Sequence, residues 1–212
     1  MGRPQDEIAD YYDRRAPEFD EWWEGGGAYQ GRDRPGWNEE LRELTGLVQA
    51  LSPARTLDVG CGTGFVTQHL SGPLRVGLDS SFSMLRHTRS RLPGVLLVRG
   101  DGSALPFAAG AFDRVFTSHV YGHILAEDRG RFRSEMLRVG HELVVVDAGP
   151  RGGGAREEWQ ERRLRDGSRH RVYKRFFTAA GLAEELGGGL VLHDGHWFVA
   201  VRVLASAPLP GD

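Results

Sequence analysis

The chain has 212 residues, 26% of them charged, and a formal net charge of −2 at pH 7. That length suits one domain with a sizeable core, and the near-neutral balance excludes a global attraction to nucleic acid. No apolar run approaches a membrane span, the single cysteine excludes an intrachain disulfide framework, and the opening residues are charged and polar rather than secretory, so the expectation is a cytoplasmic protein. Met1-Gly2 is not followed by a myristoylation signal, because Asp6 stands where Ser or Thr is needed. Lysine occurs once among the 27 Lys and Arg residues, a skew that suggests a GC-rich bacterial genome more than a binding function.

Residues 5–23 place Ile8, Tyr11 and Tyr12 at helical spacing, with Phe19, Trp22 and Trp23 beyond. Pro17 should interrupt any helix there. The stretch reads as an amphipathic segment over the core, either packing on it or closing over a ligand. Residues 24–37 are glycine-rich, hold Tyr29 and Trp37, and read as a mobile loop. A helix is predicted from about Gly36 to Leu51, with Leu41, Leu44, Leu47, Val48 and Leu51 on one face, ended by Ser52-Pro53.

A strand over Thr56–Val59 then runs into Gly60-Cys61-Gly62-Thr63-Gly64, and a helix is predicted over Phe65–Leu70. Strand, glycine turn and helix form the layout of a nucleotide-type site on an open α/β sheet. Glycines let backbone approach a ligand, and a helix start offers N–H groups and a positive dipole end. The spacing is not that of dinucleotide enzymes: Phe65 sits where their last glycine belongs, and the P-loop lysine is missing. The pattern D-x-G-x-G-x-G from Asp58 to Gly64 resembles motif I of the class I S-adenosylmethionine (SAM)-dependent methyltransferases. Against that resemblance, Tyr-Tyr-Asp-Arg-Arg-Ala-Pro-Glu-Phe-Asp over 11–20 looks like the N-terminal lid of small-molecule methyltransferases. There a tyrosine faces SAM, here Tyr12 or Tyr11.

A second strand, Leu74–Leu78, ends at Asp79, which lies 19 residues after Gly60. An acid at that tip is placed to accept from ribose hydroxyls. The following Ser80-Ser81-Phe82-Ser83-Met84-Leu85 is similar to a family segment whose methionine packs on adenine. A third strand, Val95–Arg99, ends in Gly100-Asp101-Gly102-Ser103-Ala104-Leu105-Pro106-Phe107. This turn resembles one whose acid accepts from the adenine amino group and whose next N–H reaches the ring. A fourth strand, Phe112–Phe116, ends at Thr117-Ser118-His119-Val120-Tyr121-Gly122-His123, beyond the carboxyl end of the sheet, where ligands sit. His119 and His123 have no third ligand in a metal pattern, so no metal is expected. Their position makes them candidates for a general base, His119 first.

A helix over Glu127–Val139 and a fifth strand, Glu142–Asp147, follow. Residues 155–175 hold eight Arg or Lys against four acids. They read as a solvated helix face, or as an attractor for an anionic substrate or nucleic acid. Thr178 caps a predicted helix to Leu186. Residues 190–203 read as a hairpin around Asp194-Gly195, and 205–212 as a tail.

The resemblance implies a single class I methyltransferase domain over 1–212. It comprises an aromatic lid over 1–37, a substrate-side insertion over 149–177, and a seven-stranded, mostly parallel Rossmann-like α/β sheet with helices on both faces and an antiparallel last strand. It implies SAM as cofactor and S-adenosylhomocysteine (SAH) as product. Cofactor contacts are expected from Tyr12, Asp58, Gly60, Cys61, Gly62, Gly64, Asp79, Ser80, Met84, Asp101, Gly102 and Ser118, and substrate contacts from Tyr29, Tyr121, Trp159 and Tyr173. Cys61 is expected to point out of the turn without acting as a nucleophile. The expected partner is a small-molecule acceptor, with nucleic acid and membrane not expected. A methyltransferase of RNA or protein using the 155–175 segment, and a SAM-binding protein without transfer, stand as alternatives. A dinucleotide oxidoreductase is disfavoured by the glycine spacing.

Overall fold

A computed structural model of the chain describes residues 4–154 and 156–205. From residue 206 on, the expected tail lies outside the described residues. Helix α1 (Pro4–Arg15) stops at Pro17, as the lost N–H requires, and short turns carry the chain through α2 (Glu21–Glu24) to α3 (Trp37–Ala50). Then come β1 (Arg55–Val59), β2 (Leu74–Asp79), α4 (Phe82–Arg91), β3 (Leu96–Arg99), β4 (Phe112–Ser118), α5 (Ala126–Val139) and β5 (Gly140–Ala148). A ribbon of β6 (Arg156–Arg163) and β7 (Arg169–Phe176), helix α6 (Ala179–Glu185), and the hairpin β8 (Leu190–Asp194) and β9 (Phe198–Leu204) complete the chain.

Seven strands form one sheet in the order β3-β2-β1-β4-β5-β9-β8. The first five are mutually parallel, while β9 runs antiparallel to β5 and β8. Alternation along each strand divides the core. In β5, Leu143 and Val145 face α5 and α6, packing with Phe132, Met136 and Leu182. Val144 and Val146 face the opposite side, where α3 contributes Leu44 and Val48 beside Trp23, Trp37 and Phe198. Full burial of each such side chain contributes about 1.5–3 kcal/mol.

Two expected elements are replaced. Between Gly64 and Leu74 the chain makes only a single 3₁₀ turn, Thr67–His69. Gly64 has φ +79° and Gly72 φ +146°, so the segment is bounded at both ends by glycines outside the right-handed helical region. The basic stretch 155–175 is not a helix face: β6 and β7 pair antiparallel from Arg156↔Phe176 to Arg163↔Arg169. Along β7 every second residue, Val172, Lys174 and Phe176, is buried, the period of a strand rather than a helix.

Candidate active site

Strand order reverses at β1, which has β2 on one side and β4 on the other. The crevice beyond the carboxyl ends of a parallel sheet opens at such a point. Here it widens into a cleft of ≈ 1980 Å³, floored by the strand ends and roofed by α1, the 16–37 segment and the β6–β7 ribbon.

At one end of the cleft stand two buried carboxylates, on the tips of neighbouring strands. Asp58 accepts from the Thr67 hydroxyl at 2.6 Å through Oδ2, while its buried Oδ1 has no partner among the described residues. Burial, with Asp79 nearby, pushes its pKa up to about 7. Asp79 accepts from the Gly62 and Ser81 amides, each at 2.9 Å, and burial raises its pKa as well.

Between them the turn is held by its own amides. Gly60 and Cys61 N–H donate to the Leu78 carbonyl at 2.7 and 3.1 Å, and Gly64 N–H donates to that of Cys61 at 2.9 Å. These amides are therefore committed, and no α-helix follows them to supply a dipole. What the turn offers is room. A Cβ on Gly60 would overlap Val120 Cγ2, and Gly60, at φ +74°, takes a conformation that favours glycine. The Cys61 side chain is buried rather than pointing outward: its sulfur lies against Gly77 of β2.

Further along, Ser80, Met84, Asp101, Gly102 and Ser118 all line the cleft. Met84 is buried, Asp101 is exposed and accepts from Ser103 N–H at 2.8 Å, and the buried Ser118 Oγ has no partner among the described residues.

The N-terminal segment is latched by two aspartates of the 11–20 run whose partners the sequence did not indicate. Asp13 accepts from the Ser81 hydroxyl at 2.5 Å and the Ser83 amide at 2.9 Å. Ser81 is the N-cap of α4, so the latch grips the start of that helix. Asp20 accepts from the Thr63 hydroxyl and from Arg91, both at 2.5 Å. Tyr12 lies edge-on to Phe19 and His123, its pKa pushed up to about 12 by burial. The Tyr11 hydroxyl is instead bonded by Arg15 and by Arg162.

The two histidines differ. His123 Nδ1 donates to the Tyr173 carbonyl at 2.6 Å, which fixes the tautomer with the lone pair on Nε2. Burial holds its pKa well below the usual imidazole range. His119 sits at φ 59°, packed edge-on to Trp22, Trp23 and Phe198, with Nε2 buried and unpartnered among the described residues. Burial lowers it to about 3. His119 Nδ1 lies 3.9 Å from Asp147 Oδ1, so of the two only His123 has its tautomer fixed by a direct hydrogen bond, which puts it ahead of His119 as a candidate.

Beneath them lies a buried ion pair. Lys174, the only lysine, donates from Nζ to Asp147 Oδ1 at 2.6 Å, and Asp147 Oδ2 accepts from Gly122 N–H at 2.7 Å. A lone lysine in an arginine-rich ribbon, and an acid ending an apolar strand, were signals that went unread.

The predicted substrate residues fare unequally. Tyr29 lines the cleft and its hydroxyl accepts from Arg15 at 3.2 Å. Trp159 stands half-exposed on the rim under Arg171. Tyr173 is turned away: its hydroxyl meets Arg129 and Glu157, and only its carbonyl serves the site. Tyr121 is excluded. It is buried in the core beside Phe132 and Phe177, because the turn at 121–123 points it under the sheet end. Among the described residues no group of three ligating side chains could hold a metal.

Residues 57–142 match the family model described as a methyltransferase domain. The chain is 33% identical over 152 residues to a demethylmenaquinone methyltransferase of Renibacterium salmoninarum, covering 69% of this chain and 61% of that protein. It is 40% identical over 77 residues to a malonyl-[acyl-carrier protein] O-methyltransferase of Legionella pneumophila, covering 33% of this chain and 27% of that one. The chain thus spans about three fifths of the first and a quarter of the second. Among solved structures, the DhpI–SAH complex superposes with a TM-score of 0.72 at 23% identity, covering 93% of this chain and 95% of that one; at that identity the likeness is one of fold. Fold and crevice define an open α/β protein of the Rossmann-like class. More narrowly, residues 57–142 match a methyltransferase domain, and the fold is the one seen in the DhpI–SAH complex.

Proposed function

We propose that the protein moves the sulfonium methyl group of SAM to a small-molecule acceptor by in-line displacement, leaving SAH. The carrying observation is the pair of buried carboxylates, Asp58 and Asp79, flanking the glycine turn at the tips of two neighbouring strands, with Asp58 Oδ1 unpartnered among the described residues. A buried carboxylate oxygen without a donor costs free energy until a cation or donor meets it. Asp58 Oδ1 suits the cofactor's ammonium group, Asp79 the ribose hydroxyls, and Asp101, Gly102 and Met84 the adenine. Ser80, Ser118 and the backbone of Gly60, Cys61 and Gly62 complete that wall, with Tyr12 across from it, while Gly64, expected there, packs against Thr88 and Leu92 instead. Bound SAM supplies a methyl group already activated on sulfur. The protein aligns the nucleophile and keeps water out, which is the work of Tyr12, Phe19 and the latched lid. Where the acceptor must lose a proton, His123 Nε2 takes it.

The acceptors in the relatives' names, demethylmenaquinone and malonyl-[acyl-carrier protein], support a small-molecule or acyl acceptor over RNA. The single cysteine supports action in the cytoplasm. Calorimetric titration with SAM and SAH, with NAD as control, tests the reading. Micromolar binding of the first two and none of NAD is expected; no binding of either overturns it. Mass spectrometry of acceptors incubated with SAM then reads the transfer itself.

A further inference from the structure

Opposite the carboxylate end, four arginines from four segments converge on the same cleft: Arg15 at the end of α1, Arg34 before α3, Arg151 after β5 and Arg162 on β6. Several surface arginines of this chain pair with acids. Arg165 pairs with Glu18 and Glu21, Arg169 with Glu161, and Arg91 with Asp20. Among the described residues none of the four has a carboxylate oxygen within 4.0 Å. Their partners are neutral. Arg15 bonds the Tyr11 and Tyr29 hydroxyls, Arg162 the Gln160 amide oxygen at 3.0 Å and Tyr11, and Arg34 the Trp22 carbonyl at 2.7 Å. Arg151 lies over the rings of Phe176 and Trp197. Glu158, the acid near Arg151, is itself bonded by Gln160 at 2.7 Å.

Arg15 is 7% exposed, and the Nε atoms of Arg15 and Arg151 are buried with no partner among the described residues. Arginine cannot shed its proton to escape such a site. The four are also neighbours in charge: Arg162 and Arg34 both act on Arg151, and Arg162 and Arg15 both act on Tyr12. Like charges gathered and desolvated without a counter-ion raise the free energy of the empty cleft. A forked guanidinium with open donors is the group that reads an oxyanion.

We infer that this end of the cleft is an oxyanion site, and that the methyl acceptor is a compact molecule bearing a carboxylate or phosphate-type group held by Arg15, Arg34, Arg151 and Arg162. The inference rests on the methyl-transfer reading for the word acceptor, but the site itself does not. The anion would anchor the acceptor on the lid side while its nucleophile points past His123 toward the cofactor end. Three of the contributing segments belong to the roof, so anion and lid close on one another.

The test is binding to the full chain with SAH present, using inorganic phosphate and acetate as probes and sodium chloride at matched ionic strength as control. Arg34 and Arg151 lie over Trp37 and Trp197, so tryptophan fluorescence reports occupancy. Wild-type protein should bind phosphate or acetate saturably. Arg151→Gln and Arg162→Gln should each weaken that binding about tenfold or more, the scale of one charge-assisted contact, with SAH affinity unchanged within about twofold. Tighter phosphate binding assigns a doubly charged tetrahedral group, and tighter acetate binding a carboxylate. No saturable binding of either anion while SAH binds overturns this inference alone, as does equal binding by the double variant. Failure of SAH itself to bind overturns the methyl-transfer reading instead.

Discussion

The two ends of the cleft are built on opposite electrostatic plans. At the glycine turn, Asp58 and Asp79 are buried with their pKa values raised, so the site awaits positive charge and hydroxyl donors. Under the lid, Arg15, Arg151 and Arg162 lie near the neutral His119 and His123, so that end awaits negative charge. The cofactor end comes from contiguous strand–turn units on the rigid sheet, and the other end from α1, two loops and a ribbon. A common ligand can be held by local motifs; an acceptor specific to one protein is gripped by segments that vary freely around them.

The contrast can be broken most severely at its base. Lys174→Met leaves Asp147 charged and buried without its cation, and should cost about 3–5 kcal/mol of stability, read by urea denaturation. Adding Asp147→Asn should recover part of the loss, because a neutral amide can still accept from Gly122 N–H; no recovery would show that the ion pair is not the cause. Next in size, His123→Ala should lower turnover about a hundredfold for an acceptor that must lose a proton, while SAM affinity stays within twofold. His119→Ala should affect turnover less, through packing against Trp22 and Trp23. A larger effect at His119 would restore it as the base.

Asp79→Ala should weaken SAM binding about tenfold or more, about 1.4 kcal/mol; unchanged affinity would remove the ribose role. The smallest effect is the most diagnostic. With Asp58 raised to about 7, the ligand-free fold keeps a proton that the unfolded chain has lost. Stability should therefore fall as pH rises from the ordinary carboxylate range to about 7, then level off. SAM affinity should run the other way, rising several-fold over that window as the carboxylate forms, and Asp58→Asn should flatten both curves.

Much of the sheet was legible because buried parallel strands read as short apolar runs ended by glycine or acid. Asp58, Asp79 and Asp101 lie at the ends of such runs, and Asp194-Gly195 announced its hairpin. The Phe65–Leu70 helix was misread because amphipathic spacing says nothing of the left-handed glycines that enclose it. The β6–β7 ribbon read as a solvated helix face because of its charges, although every second residue of β7, Val172, Lys174 and Phe176, is buried. The arginines under the lid, and the latches Asp13 and Asp20, carry no local signal. The latches reach partners more than forty residues away, as with Asp20 and Arg91, and the arginines come together from separate segments, so no period or motif encodes either meeting.

Gly60 has a bearing on ancestry. Its missing Cβ makes way for Val120 as well as for any ligand, so the residue answers to the pairing of β1 with β4 whether or not a cofactor is used. A descendant that had abandoned methyl transfer would still be held to glycine there for as long as a branched side chain stood at 120. The first glycine of the motif is thus a record of inherited architecture. The orphaned oxygen of Asp58, which no packing demands, is the better witness to a living activity.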